Sequence, residues 1–270
     1  MITKYLNQEN GKIAYDDASS GPLVVCVPSL GDVRGEYRFL IPQLVEAGYR
    51  VVSMDVRGLG ETSVEWNDYS VAGVGADIAA LIRDLKAGPA IVVGTSMAAG
   101  AAVWAAAEVP DLIRGMVMVG PFVRGDGNKL LEAVFTVMLA RPWGPSMWLK
   151  YFSTLYPTRK PDDFAEYTVA LGTNLKERGR LETLLAMLRA SKRASEERIP
   201  QVDKPVLVLM GSKDPDFKEP EAEAKWVAEN LKGSYTMIEN AGHYPHAEMP
   251  EITAPLILEF MGSLDGKKEN

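Results

Sequence analysis

Six short runs rich in β-branched and other apolar residues recur along the chain: Leu23–Val27, Arg50–Met54, Ala90–Val93, Gly115–Val119, Pro205–Met210 and Tyr235–Ile238. A strand that faces water on one side alternates apolar with polar residues. These runs are nearly continuous, as strands covered on both faces must be. The segments between them, Glu36–Ala47, Val71–Leu85, Ser96–Ala107 and Glu221–Leu231, have the length and periodicity of helices. Repeated strand–helix–strand units predict an α/β chain with a mostly parallel, twisted sheet and helices on both faces. Lys4–Asn7 and Lys12–Tyr15 flank the turn-forming Glu9-Asn10-Gly11 and predict a hairpin at one edge, which brings the sheet to about eight strands.

Between Pro121 and Pro200 the strand signal stops, and helical stretches take over at Leu130–Leu139, Pro145–Leu155, Asp162–Leu171 and Leu181–Ser191. The expected organisation is a core made of residues 1–121 and 201–270, with residues 122–200 inserted as a helical cap. Insertions of this kind often cover a functional site. This one is rich in aromatic residues and Met, and Phe122, Met138, Trp143 and Trp148 are its candidate pocket residues. Ordinary packing against the core would use the same residue types.

The 270 residues, 47% hydrophobic, suffice for a large core without disulfides or metals. The net charge of −7, from 29 basic and 36 acidic residues, is spread over mixed-sign segments, and no basic run is suited to nucleic acid. The single cysteine, Cys26, sits inside an apolar run and reads as a core residue. With His243 and His246 the only imidazoles, no metal site is expected. Met1–Gly11 lacks the apolar stretch of a signal peptide and no later run approaches a membrane span, so a cytoplasmic protein without membrane contact is expected. Glycine-rich phosphate-binding sequences are absent, and no cofactor is expected.

The chemistry concentrates where Ala90-Ile91-Val92-Val93 runs through Gly94-Thr95-Ser96 straight into the Ala-rich segment beginning at Met97. A serine on so sharp a strand-to-helix turn is the layout of a nucleophile elbow, and its neighbours two before and two after must be small. Gly94 and Ala98 are. Such a serine is equally at home as a plain helix cap, so the case depends on a base and on a carboxylate to orient it. The run Val206–Met210 ends in Gly211-Ser212-Lys213-Asp214-Pro215-Asp216, which puts a carboxylate beyond the C-terminal end of a buried strand, the edge where open α/β sheets bind ligands. Asp214 is the chosen acid, with Asp216 second and Asp126 more remote. After the last strand, Asn240-Ala241-Gly242-His243-Tyr244-Pro245-His246 holds His243 in a loop and completes the order Ser, Asp, His, leaving His246 as the one rival base.

With these landmarks the chain resembles the α/β-hydrolase superfamily over essentially its whole length, in particular the small serine esterases with a Gly-x-Ser-Met-Gly-Gly elbow. Asp55-Val56-Arg57-Gly58-Leu59-Gly60-Glu61-Thr62-Ser63 resembles the family's Asp-x-Arg-Gly-x-Gly-x-Ser loop, and Gly242-His243-x-Pro245-His246-x-Glu248-x-Pro250 its segment around the base. Two positions depart from the pattern. Pro28-Ser29-Leu30-Gly31 stands where His-Gly is usual, and Ala98 replaces a glycine. The resemblance implies acyl transfer from a small or medium apolar ester-like substrate by Ser96, Asp214 and His243, with the backbone N–H groups of Leu30 and Met97 as oxyanion hole. It equally leaves open cofactor-free perhydrolysis, carbon–carbon bond hydrolysis and a non-catalytic receptor. The chain is expected to act as a monomer or homodimer.

Overall fold

The structure, a computed structural model, describes residues 3–125 and 129–265. Eight strands form one sheet: β1 (Thr3–Gln8), β2 (Gly11–Ala18), β3 (Leu23–Val27), β4 (Arg50–Met54), β5 (Ala90–Thr95), β6 (Ile113–Val119), β7 (Val206–Gly211) and β8 (Ser234–Ile238). Their order is β1-β2-β4-β3-β5-β6-β7-β8. The expected edge hairpin pairs β1 with β2 antiparallel and joins β4 antiparallel through β2, and every other neighbour is parallel. β3, β5 and β7 are buried at every residue, which is why their sequences lack polar alternation.

Helices in chain order are α1 (Ile41–Glu46), α2 (Val71–Leu85), α3 (Met97–Glu108), α4 (Lys129–Met138), α5 (Gly144–Thr154), α6 (Phe164–Lys176), α7 (Arg180–Arg189), α8 (Arg193–Glu196), α9 (Pro220–Asn230), α10 (Pro245–Glu248) and α11 (Pro250–Asp265). The two faces of β3 divide by the two-residue period of a strand. Leu23, Val25 and Val27 pack into one core with residues of α2, α3 and α9, while Val24 and Cys26 join the other with residues of α1 and α11. Burial pushes the Cys26 thiol pKa far up, which suits an inert core residue.

One helical expectation is corrected, and one helix was not foreseen. Glu36–Ala47 is not one helix but a 3-10 turn, Arg34–Tyr37, followed by the short α1. Pro42 lies in the first turn of α1, where its missing N–H is harmless, and earlier residues cannot extend the helix through it. α11 is not among the segments expected from periodicity, since Pro255 lies inside it. Burial of Ala254, Ile257 and Met261 against the sheet outweighs the broken helical hydrogen bond.

α4 to α8 all fall between β6 and β7, and α5, α6 and α7 reach over the loops at the C-terminal ends of β3 and β4. The Trp148 indole N–H on α5 donates to the Gly31 carbonyl at 2.9 Å. A Cβ on Gly31 (φ +75°) would lie 2.1 Å from that ring, so the loop after β3 admits only glycine there. On α6, the Asn174 side-chain amide exchanges two hydrogen bonds with the backbone of Gly60, at 3.0 and 2.9 Å. Asp55 and Arg57 of that same loop serve as structural anchors. Asp55 is buried and accepts from the Arg34 and Glu61 amides, and Arg57 forks onto Asp77 at 2.5 and 2.9 Å. Among the described residues no helix is long and apolar enough to cross a membrane.

Candidate active site

Ser96 ends β5 and opens α3 with φ 57° and ψ −120°, a conformation that strains any residue with a Cβ by about 1–3 kcal/mol. The turn around it is closely packed. A Cβ on Gly94 would stand 2.7 Å from the Ala98 carbonyl oxygen, and one on Gly100 would stand 2.7 Å from that of Phe122. The Ser96 N–H donates to Val119 O at 2.8 Å, and its carbonyl accepts from the amides of Ala99 and Phe122, both at 3.1 Å. Every backbone group of Ser96 is thereby fixed, at the positive end of a twelve-residue helix.

Beyond β7, Asp214 Oδ2 lies 2.7 Å from His243 Nδ1, while Asp214 Oδ1 accepts the Asp216 N–H at 3.0 Å. Both partners are buried, each 2% exposed. The loop that carries His243 is fixed from below. Its own N–H donates to Leu155 O at 2.9 Å, and the Gly242 N–H donates to Glu248 Oε2 at 2.6 Å. Glu248 Oε1 accepts in turn from the amides of Thr158 and Arg159, which joins the base loop to the segment after α5. Gly120 (φ +49°), after β6, leaves room for the pair, since a Cβ there would meet His243 Nδ1 at 2.9 Å and Asp214 Oδ2 at 3.2 Å.

Burial pushes the His243 pKa down, but the charge and hydrogen bond of Asp214, helped by Asp216, push it further up, from 6.5 to about 9. Asp216 stands on the other side of the ring, Oδ2 3.9 Å from Nε2, and its Oδ1 accepts from the Tyr151 hydroxyl at 2.5 Å. Burial raises the Asp216 pKa against the opposing pull of His243 and of that hydrogen bond. Asp214, Asp216 and His243 offer ligand atoms within 4.8 Å of one another. Nδ1 and Asp216 Oδ1 are, however, already engaged by Asp214 and Tyr151, the arrangement of an oriented base.

Ser96 and His243 face one cavity of about 440 Å³, lined largely by apolar groups. No hydrogen bond joins Ser96 Oγ to His243 among the described residues, and in hydrolase sites this bond commonly tightens only with substrate. Leu30 and Met97 both line the cavity, and neither of their amides donates to another described residue. Of the four pocket candidates, Phe122 and Trp148 line the cavity and Met138 and Trp143 do not. Trp143 is half exposed, with its indole N–H on Val137 O, and Met138 packs against the core. Phe135 and Tyr151, part of the aromatic and Met content of the cap, also line the cavity, and Leu155, just after α5, and Leu188 on α7 line it without an earlier signal. His246, the rival base, is fully buried away from the cavity, beside Glu36. Asp126 lies outside the described residues.

Residues 22–250 match the family model described as alpha/beta hydrolase fold. The chain is 28% identical over 259 residues to the 2-(acetamidomethylene)succinate hydrolase of Mesorhizobium japonicum, covering 91% of this chain and 90% of that protein. It is 26% identical to the karrikin insensitive 2 receptor IA of Petunia hybrida, over 88% of this chain and 89% of the receptor. The structure also superposes on the crystal structure of a bromoperoxidase from Bacillus anthracis with a TM-score of 0.83 at 20% identity, over 97% of this chain and 99% of that one. With the family model spanning six of the eight strands, from β3 to β8, together with the Ser96 turn and the His243 loop, the chain belongs to the α/β-hydrolase fold family.

Proposed function

We propose that this protein is a serine hydrolase that cleaves a carboxylic ester, or a related acyl bond, of a small to medium apolar substrate. The observation that carries this reading is the convergence on one cavity of Ser96, the His243–Asp214 pair and two undonated amides. His243 takes the Ser96 proton, Ser96 attacks the acyl carbonyl, and the Leu30 and Met97 N–H groups hold the oxyanion. The leaving group departs with the proton from His243. Water, deprotonated by the same base, then releases the acid. Asp214 keeps the imidazole in one tautomer and stabilises its charged form. Residues 122–200 act as a lid whose Phe135, Trp148, Tyr151 and Leu188 meet the acyl group, and the largely apolar cavity favours a substrate of that character.

The test is a p-nitrophenyl ester panel of increasing chain length, with fluorophosphonate labelling of Ser96 read by peptide mass. Wild type is expected to hydrolyse the esters and to be labelled, and Ser96→Ala to lose about 10⁴- to 10⁶-fold in kcat while keeping its fold. An unchanged rate in Ser96→Ala would overturn the assignment. The likeness to a karrikin receptor favours one second reading, a small-molecule receptor with an idle triad. Absence of both labelling and turnover in wild type would select it.

A further inference from the structure

The loop that offers the Leu30 amide lacks the usual His-Gly, and its replacement is held in an unusual way. Leu30 N–H belongs to the peptide plane that joins it to Ser29, so its direction depends on how Ser29 is fixed. Ser29 is fixed at three points, one of them its carbonyl, which accepts the Asp32 N–H at 3.3 Å. Its N–H donates to Glu36 Oε2 at 2.8 Å, and its Oγ lies 2.5 Å from the Tyr244 hydroxyl, on the residue after the base.

Glu36 is 1% exposed, and no Lys or Arg pairs with it among the described residues. Its second oxygen lies 3.1 Å from His246 Nε2, at an angle too poor for a hydrogen bond. The His246 ring, also buried, stacks on Tyr37 with centroids 4.9 Å apart. The Tyr37 hydroxyl donates to Val27 O at 2.7 Å and lies 2.8 Å from Thr95 Oγ1, next to Ser96. One 3-10 turn, Arg34–Tyr37, therefore grips the oxyanion loop through Glu36 and the nucleophile turn through Tyr37. A carboxylate buried this deeply is destabilising unless its oxygens are used, and the backbone donor it takes is the one preceding Leu30.

We propose that Glu36 is a positioning residue for the oxyanion hole: its carboxylate clamps the Ser29 amide and so aims the Leu30 N–H at the developing oxyanion. The proposal rests on the acyl-transfer reading of Ser96. Because the Leu30 N–H is needed most when charge develops on oxygen, loss of the clamp lowers kcat and leaves KM nearly unchanged. It also lowers the preference for an oxygen ester over its thionoester, since N–H donors stabilise O⁻ more than S⁻.

The experiment compares wild type with Glu36→Gln, Glu36→Leu and Glu36→Asp. It measures the rate of fluorophosphonate labelling at Ser96, kcat and KM for p-nitrophenyl butyrate, the oxygen-to-thiono rate ratio, and melting temperature. Glu36→Gln keeps an acceptor for the Ser29 N–H and is expected within about threefold of wild type. Glu36→Leu is expected to lose about 10- to 100-fold in labelling rate and kcat, with KM within about twofold and a reduced oxygen-to-thiono ratio. Glu36→Asp, which retracts the carboxylate by one methylene, is expected to lower the same ratio by a smaller factor and supplies the answer should the Leu variant fail to fold. Folded Leu or Asp variants with a wild-type ratio and wild-type labelling would overturn the proposal. If wild type itself is neither labelled nor active, the acyl-transfer reading fails first, and the two failures are told apart.

Discussion

Asp216 Oδ2 stands 3.9 Å from His243 Nε2, on the side of the ring away from Asp214, whose Oδ2 lies 2.7 Å from Nδ1. Flanked by two carboxylates, the imidazole holds its proton more tightly than a free one, at a pKa of about 9. A general base works only when neutral, so kcat/KM is expected to rise with pH from 6 toward about 9. Asp216→Asn removes one of the two charges and should move this limb to lower pH, which a pH–rate profile reads directly. For stability the sign is opposite. The folded state binds this proton more strongly than the unfolded chain, so the contribution is full below about pH 6.5 and is lost as pH rises through about 9. Urea denaturation across that window checks it.

Ser96→Gly separates strain from chemistry. Glycine adopts φ 57°, ψ −120° without a Cβ clash, and the strain relieved exceeds the chain entropy that glycine adds. The variant should be inactive, yet more stable by about 1 kcal/mol, or about 2–4 °C in melting temperature. An unchanged or lower melting temperature would mean that the turn stores no strain.

Gly120→Ala should act on the His243–Asp214 pair without replacing either member. Its methyl would meet His243 Nδ1 at 2.9 Å and Asp214 Oδ2 at 3.2 Å. Combined with a left-handed backbone, this should cost about 1–2 kcal/mol of stability and lower kcat by about tenfold or more. Kinetics and a denaturation curve on the same preparation measure both.

Trp148→Ala tests the lid. This buried indole lines the cavity and is bonded to Gly31 O, so its truncation should cost about 3–5 kcal/mol and enlarge the acyl side of the site. On the ester panel the preferred chain length should shift upward. An unchanged preference would place the acyl group elsewhere in the cavity.

Much of this was legible in the sequence because its physical signals are local. Unbroken apolar runs predicted the buried strands, the Gly94-Thr95-Ser96 turn predicted the elbow, and the placement of Asp214 and His243 after strands predicted which side chains meet at the sheet's C-terminal edge. Local patterning misread the region around Pro42, where one helix was expected, and gave no reading of α11, where Pro255 interrupts the helical signal. The pocket was read in half, with Phe122 and Trp148 lining it and Met138 and Trp143 turned elsewhere, because apolar residues on a helix look alike until a partner surface chooses between faces.

By itself, then, the sequence determined the α/β architecture and singled out the three side chains that the proposed acyl transfer uses, since strand burial and strand-to-helix turns are written in short stretches of neighbouring residues. The tertiary structure decided what depends on approach between distant segments. Asp214 takes Nδ1 while Asp216 faces Nε2, Tyr151 on α5 holds Asp216, and Glu36 reaches back seven residues to grip Ser29. These are contacts of a few ångströms between separately folded elements, and their geometry exists only once the sheet and its inserted helices have packed.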